Sequence, residues 1–299
     1  MKIGIIGAGF TGLSSAYYLL ESGHSVTLFE KDVIPGGLAI GFTEKKWDWT
    51  LEKHYHHWFT NDQSVLSLAK EVNFPVIIKR PKTSVYVKGE IYQLDSPLAL
   101  LKFPKLPLID RMKMGFVLAF LRYNPFWKIL ERLNTKDFLE KTMGKRGYEM
   151  IWEPQLKNKF GGVAESISLA WFWARIKKRT PSLAYPKGGF LNFAQTLVKQ
   201  IEKKGGKVFF NTDVIGLSSN GKPQVKFRQT GIHQPTEKIE NFDAVIVTLP
   251  SLFFFKITPS LPDSYKNKYS NLKGLGAINL VLRLRKSFLK DGTYWLSVC

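Results

Sequence analysis

The chain has 299 residues, 44% of them hydrophobic and 14% aromatic, which supports a large packed core and excludes disorder on the scale of a domain. Lys and Arg number 44 against 24 Asp and Glu, a net charge of +20 that favours anionic partners. The cations are dispersed, however, and no helix-turn-helix, RNP-type or zinc-finger signature accompanies them, so no nucleic-acid partner is expected. The single cysteine, Cys299, excludes an intrachain disulfide framework and a cysteine-based metal site, and it fits a reducing cytoplasm.

The N-terminal stretch KIGIIG reads as a short buried strand with apolar residues on both faces, as a central parallel strand requires. The run Gly7, Ala8, Gly9, Phe10, Thr11, Gly12 follows at once. A helix comes next, with Leu13, Ala16, Tyr17 and Leu20 on one side and Gly23 as its stop. HSVTLFE is a second strand ending on Glu30. The three spaced glycines argue against reading this apolar start as a signal peptide. Each residue type has a task. Gly7 turns the chain, Gly9 lets a pyrophosphate approach a helix N-terminus, Gly12 lets helix and strand pack closely, and Glu30 is placed to accept hydrogen bonds from a ribose. The whole strand–turn–helix–strand context predicts a dinucleotide site.

Residues 30–42 read EKDVIPGGLAIGF. A Glu, a basic residue and a Gly-Gly pair just past the second strand resemble the extended FAD fingerprint of the flavin amine oxidase superfamily. That group includes protoporphyrinogen oxidases, phytoene desaturases, monoamine oxidases and, more distantly, UDP-galactopyranose mutases. The resemblance implies FAD as cofactor, with Lys31 flanking the ribose, Gly36 and Gly37 passing the pyrophosphate, and Leu38 and Ala39 leading toward the flavin ring. It also implies an α/β fold, a Rossmann-like FAD-binding domain of the GR2 type interleaved with an α+β substrate domain.

EKHYHHWF (52–59) holds three of the five histidines. In an extended segment His54 and His56 share one face and His57 takes the other, which argues against a metal, so no metal site is expected. Two readings stay open, partly buried structural histidines and a flavin-side pocket to which His56 or His57 contributes. The pattern W-x-L-E-x-x-Y-H-H-x-F resembles bacterial protoporphyrinogen-oxidase-like proteins.

Residues 83–94 read as a hairpin, and a helix is expected from about Leu108. Its apolar residues Met112, Phe116, Leu118, Ala119 and Phe120 are expected in the core, with a membrane-surface role as the alternative. Further on, Pro154 is expected to break a helix, Gly161 and Gly162 to form a turn, and Trp171, Phe172 and Trp173 to build an aromatic wall. Trp-Glu-Pro-x-Leu followed by Lys-Phe-Gly resembles the substrate domain of protoporphyrinogen-oxidase-like proteins.

The segment 186–219 reads turn, helix, Gly-Gly stop, strand, and the apolar strand DAVIVTLP follows a hairpin with a polar turn. By resemblance the chain re-enters the FAD domain here. Gly188 and Gly189 approach the flavin, Val214 contacts adenine through its backbone, and Thr248 ends a strand returning to the cofactor. The expected domains are therefore 1–75 with 186–255 for FAD and 76–185 with 256–299 for substrate. Family members continue past this length to a second FAD motif, so the resemblance implies a fragment of a longer protein. The expected function is an FAD-dependent oxidoreductase moving a hydride from a small organic substrate to flavin N5. A flavin-dependent nucleotide-sugar mutase and a non-catalytic binding protein on the same fold remain open. The expected location is the cytoplasm, and the charge also allows peripheral attachment to the inner face of an anionic membrane.

Overall fold

A computed structural model describes residues 1–299 apart from 232–235, 273, 275 and 290. The principal elements begin with β1 (Lys2–Ile6), α1 (Phe10–Glu21), β2 (Ser25–Phe29) and α2 (Gln63–Glu71). A hairpin of β3 (Lys82–Val87) and β4 (Glu90–Gln93) precedes six helices: α3 (Pro97–Leu101), α4 (Leu108–Tyr123), α5 (Trp127–Leu130), α6 (Thr135–Met143), α7 (Glu153–Phe160) and α8 (Leu169–Lys178). Helix α9 (Phe190–Lys203) then leads to strands β5 (Lys207–Phe209), β6 (Thr212–Asn220), β7 (Lys222–Gln229), β8 (Glu237–Asn241) and β9 (Ala244–Val247). The chain continues through α10 (Ser251–Ile257), α11 (Asp263–Tyr269) and β10 (Thr293–Val298). The polar turn expected between β7 and β8 falls on 232–235 and lies outside the described residues.

Two compact units emerge. Unit 1 comprises 1–58, 62–77 and 184–281, and unit 2 comprises 59–61, 78–183 and 282–299. Residues 256–281 therefore group with unit 1, whereas the sequence reading ended that domain at 255.

Unit 1 is built on a parallel sheet of order β5-β2-β1-β9. Four of the five residues in β1 and in β2 are buried, because helices and a second sheet cover both faces. Helices α1 and α9 pack over one face, where Leu13, Ala16, Phe193, Leu197 and Ile201 are fully buried. The antiparallel sheet β6-β7-β8 covers a smaller core around Phe29, Val225 and Phe242. Asp243 closes the lower edge by accepting from Lys222 Nζ at 2.6 Å and Lys2 N–H at 2.8 Å, bonds that hold its carboxyl below the usual range.

Unit 2 joins the sheet β10-β3-β4 to the helices α3–α8. Its core centres on Leu121, Leu139, Met143, Leu169 and Phe172, none of them accessible to solvent. Helix starts follow local capping chemistry: the Asn134 side chain accepts Asp137 N–H ahead of α6, and Ser168 accepts Ala170 N–H ahead of α8. The expected break at Pro154 takes the form of a π turn over Tyr148–Trp152, after which α7 starts with Pro154 in its first turn. Burial, with Glu153 adding to it, pushes the Tyr148 phenol up to about 12. Gly161 and Gly162 open a 3₁₀ segment. In the aromatic wall Phe172 is fully buried against Trp152 at 4.9 Å, whereas Trp171 and Trp173 are half-buried.

Helix α4 departs from the sequence reading. Met114 and Leu121 face the core, while Met112, Phe116 and Phe120 are exposed. Both sides of this helix are apolar, so periodicity alone cannot say which side turns inward.

Phe172→Ala removes a fully buried ring from the centre of unit 2. It is expected to cost about 3–5 kcal/mol of unfolding free energy, read as a lowered urea midpoint.

Candidate functional site

The residues of the predicted dinucleotide site all lie in unit 1, around the carboxyl ends of β1, β2 and β9. Strand β1 ends at Ile6 and α1 starts at Phe10, with Gly9 as its N-cap and no side chain capping it. The first amides of α1 are therefore left without helical acceptors, and the helix dipole adds to their preference for an anion. Gly12 packs against the turn before it. A Cβ there would lie 1.9 Å from the Gly7 carbonyl oxygen, so no side chain fits without moving the backbone. Thr248 follows β9 and donates its hydroxyl to Ile6 O at 2.8 Å, which ties the end of β9 to the same turn.

A second glycine turn meets the first. Gly36 N–H donates to Ala8 O at 3.0 Å, and Gly9 and Gly36 form a parallel bridge. Gly37 has φ +56, and a Cβ on it would sit 2.9 Å from Gly9 Cα. Two stretches of bare backbone thus lie against each other beside an uncapped helix start. Beyond them Leu38 is largely exposed and Ala39 is buried in the unit 1 core.

Glu30 stands just past β2. Its carboxylate accepts Ala8 N–H at 2.6 Å and Asp32 N–H at 2.9 Å. The side chain is half-exposed, and neighbouring Lys31 is exposed. Thr212 N–H at the start of β6 donates to Glu30 O at 2.8 Å, so Val214 lies two residues beyond a contact with Glu30. Val214 itself is buried in the smaller core, and the β6–β7 register shifts between Val214 and Gly216. Of the remaining fingerprint residues, Thr11 is exposed and Phe10 turns inward, stacking on Phe193 at 5.6 Å.

The histidine-rich segment converges on the start of α9. Phe190, its first residue, packs against Phe10 at 5.9 Å, His56 at 5.7 Å, Trp58 at 5.3 Å and Tyr185 at 5.4 Å. The fingerprint and the histidine segment therefore share one aromatic cluster. His56 Nδ1 lies 2.7 Å from His54 O. A carbonyl only accepts, so Nδ1 carries the proton, and in the neutral ring Nε2 presents a lone pair. His54, His56 and His57 are all half-buried. Among the described residues no group of three or more His, Cys, Asp or Glu side chains is arranged to hold a metal ion. Gly188 meets the same segment, its carbonyl accepting from Thr50 N–H at 3.2 Å and from the Thr50 hydroxyl at 3.0 Å, and Gly189 caps α9.

Glu52 is the residue that the sequence reading passed over. It is only 4% exposed, and its carboxylate accepts the Tyr185 hydroxyl at 2.7–2.8 Å and Phe190 N–H at 3.0 Å. A buried carboxyl group thus accepts from the first amide of α9, at the helix end whose dipole favours negative charge. Both partners lie more than 130 residues away, and nothing in the local sequence marks the pairing.

A sequence profile described as flavin containing amine oxidoreductase matches residues 10–297. A 15-cis-phytoene desaturase of Synechococcus elongatus is 24% identical over 94% of this chain and 65% of its own length. A coproporphyrinogen III oxidase of Staphylococcus aureus is 23% identical over 85% of this chain and 61% of its own. The chain therefore spans less than two thirds of the length of these relatives. Among solved structures, an oxidoreductase from Methanosarcina mazei superposes with a TM-score of 0.69 at 22% identity, covering 90% of this chain and 64% of that one, a likeness of fold.

Glu52→Ala would remove the carboxylate that accepts Phe190 N–H and the Tyr185 hydroxyl. The expected loss is about 2–4 kcal/mol, measured as a fall in the chemical-denaturation midpoint. Glu52→Gln, which keeps an acceptor oxygen, is expected to recover part of it.

Proposed function

The chain belongs to the flavin-containing amine oxidoreductase family, and on that premise we propose that it is an FAD-dependent oxidoreductase taking a hydride from a small organic substrate. The observation that carries this reading is the face-to-face packing of the Gly9 and Gly37 backbones beside the uncapped start of α1. A Cβ on Gly37 would meet Gly9 Cα at 2.9 Å, so the two turns close on each other only as bare backbone, and that supports FAD as the group held beside them.

Each fingerprint residue then has a role. The amides of Thr11 and Gly12 would hold the pyrophosphate, with the backbone of Gly36 and Gly37 passing beside it and Gly36 N–H already given to Ala8 O. Glu30 already accepts two backbone amides. A carboxylate offers about four acceptor sites, so it retains capacity for ribose hydroxyls. Lys31 would flank the ribose and Val214 would lie toward the adenine, while Thr248 holds the turn through its hydroxyl bond to Ile6 O. When bound, FAD supplies the two-electron acceptor, and the protein supplies orientation and charge. Gly188, Gly189, His56 and His57 are the pocket candidates. The Nδ1–H of His56 is committed to His54 O, so its part toward a substrate would be to accept a hydrogen bond or a proton through Nε2. The net charge of +20 would also steer an anionic dinucleotide toward the protein.

Flavin fluorescence quenching at fixed salt tests the assignment. The wild-type chain is expected to quench FAD saturably. Glu30→Gln should weaken binding by roughly tenfold or more, since a charge-assisted hydrogen bond contributes about 1.5–3 kcal/mol. Gly37→Val should abolish quenching in a protein whose circular dichroism is unchanged. A folded wild-type chain that leaves FAD unbound would overturn the reading.

A further inference from the structure

Helix α4 in unit 2 has two apolar faces and only one of them is filled. Met114 and Leu121 occupy the inner face at 1% and 0% exposure. At about 100° per residue, Leu108, Ile109, Met112, Phe116, Phe120 and Tyr123 fall within a single outer arc of roughly 120°. All six are exposed, Phe116 at 72% and Tyr123 at 78%. No charged residue interrupts the arc, while Lys113 stands at one border and Arg122 at the other. The apolar surface continues past the helix end in Phe126, Trp127 and Ile129, also exposed.

The charge around this surface has one sign. Between residues 97 and 133 the chain carries seven Lys and Arg against only Asp110 and Glu131. Lys105 pairs with Glu90, but among the described residues no ion pair engages Lys113, Lys128 or Arg132. A second copy of the chain would bring the same basic rim against itself, and like charges repel. An anionic surface attracts that rim and accepts the apolar arc beneath it. No helix among the described residues is long and apolar enough to cross a membrane, so α4, about 24 Å long, would lie in the plane of the surface. Tyr123 and Trp127 supply the amphipathic rings favoured at headgroup level.

We propose that the outer face of α4, continued by Phe126, Trp127 and Ile129, docks the protein on an anionic lipid bilayer. The phenylalanines enter the acyl boundary, and Lys113, Lys128 and Arg132 meet the headgroups. Docking does not depend on the flavin assignment, because the residues involved are in unit 2 and the readout contains no flavin.

Flotation of the full chain with vesicles tests the proposal, using phosphatidylcholine alone and phosphatidylcholine with about a third phosphatidylserine. The chain is expected to float with the anionic vesicles and to be released at high salt. The double variant Phe116→Ser/Phe120→Ser should lower the partition coefficient at least ~10-fold, and Lys113→Glu/Lys128→Glu by a similar factor. These positions are exposed, so the thermal melts of both variants should match wild type. A wild-type chain that stays at the bottom of a low-salt gradient, or a Phe116/Phe120 variant that floats as well as wild type, would overturn the proposal. So would a wild-type dimer in sedimentation that the phenylalanine variant converts to monomer, since the face would then belong to a second copy.

Discussion

The site in unit 1 depends on how closely two backbone segments can approach at the carboxyl end of β1. Gly12 rests on the Gly7 carbonyl and Gly37 rests on Gly9, at separations that leave no room for a Cβ. This packing seats α1 directly over β1, which aims its unpaired amides at the mouth of the sheet. It also brings the Gly36–Gly37 turn within hydrogen-bonding distance of Ala8. Glu30 then closes the turn by accepting Ala8 N–H, so the acidic group and the bare amides become neighbours. Strand order β5-β2-β1-β9 leaves β1 between β2 and β9, so the glycine turn opens at the carboxyl end of a central strand, where α/β sheets bind their ligands.

A second constraint holds the histidine segment of unit 1. Phe190 starts α9 and is surrounded by Phe10, His56, Trp58 and Tyr185, with Glu52 on its amide. Through Phe10 this cluster is continuous with the fingerprint, so the histidine segment is positioned by the same packing that positions the glycine turn. His56 is fixed twice, by its Nδ1 bond to His54 O and by its ring contact with Phe190. That arrangement orients Nε2 without using it.

Legibility in the sequence follows the range of each interaction. The first forty residues could be read because β1, the glycine turn, α1 and β2 are specified by neighbours a few positions apart. The β3–β4 hairpin was legible for the same reason, with Lys88 and Gly89 supplying the two positive φ angles of a tight turn. Glu52 was not, since its partners Tyr185 and Phe190 lie far along the chain and one sequence carries no pairing information. The inner face of α4 was also illegible. Leu121 and Phe120 are equally apolar, and only the surrounding helices of unit 2 decide that the first is buried and the second exposed. The π turn before Pro154 is a third case, because the proline announces a disturbance without saying how the backbone resolves it.

The chemistry proposed for this chain stands on whether the paired glycine turns hold a flavin. The most direct measurement is the visible absorption spectrum of the chain after incubation with excess FAD and desalting. A retained flavin spectrum at close to one equivalent per folded chain is expected. A folded chain that emerges colourless would contradict it.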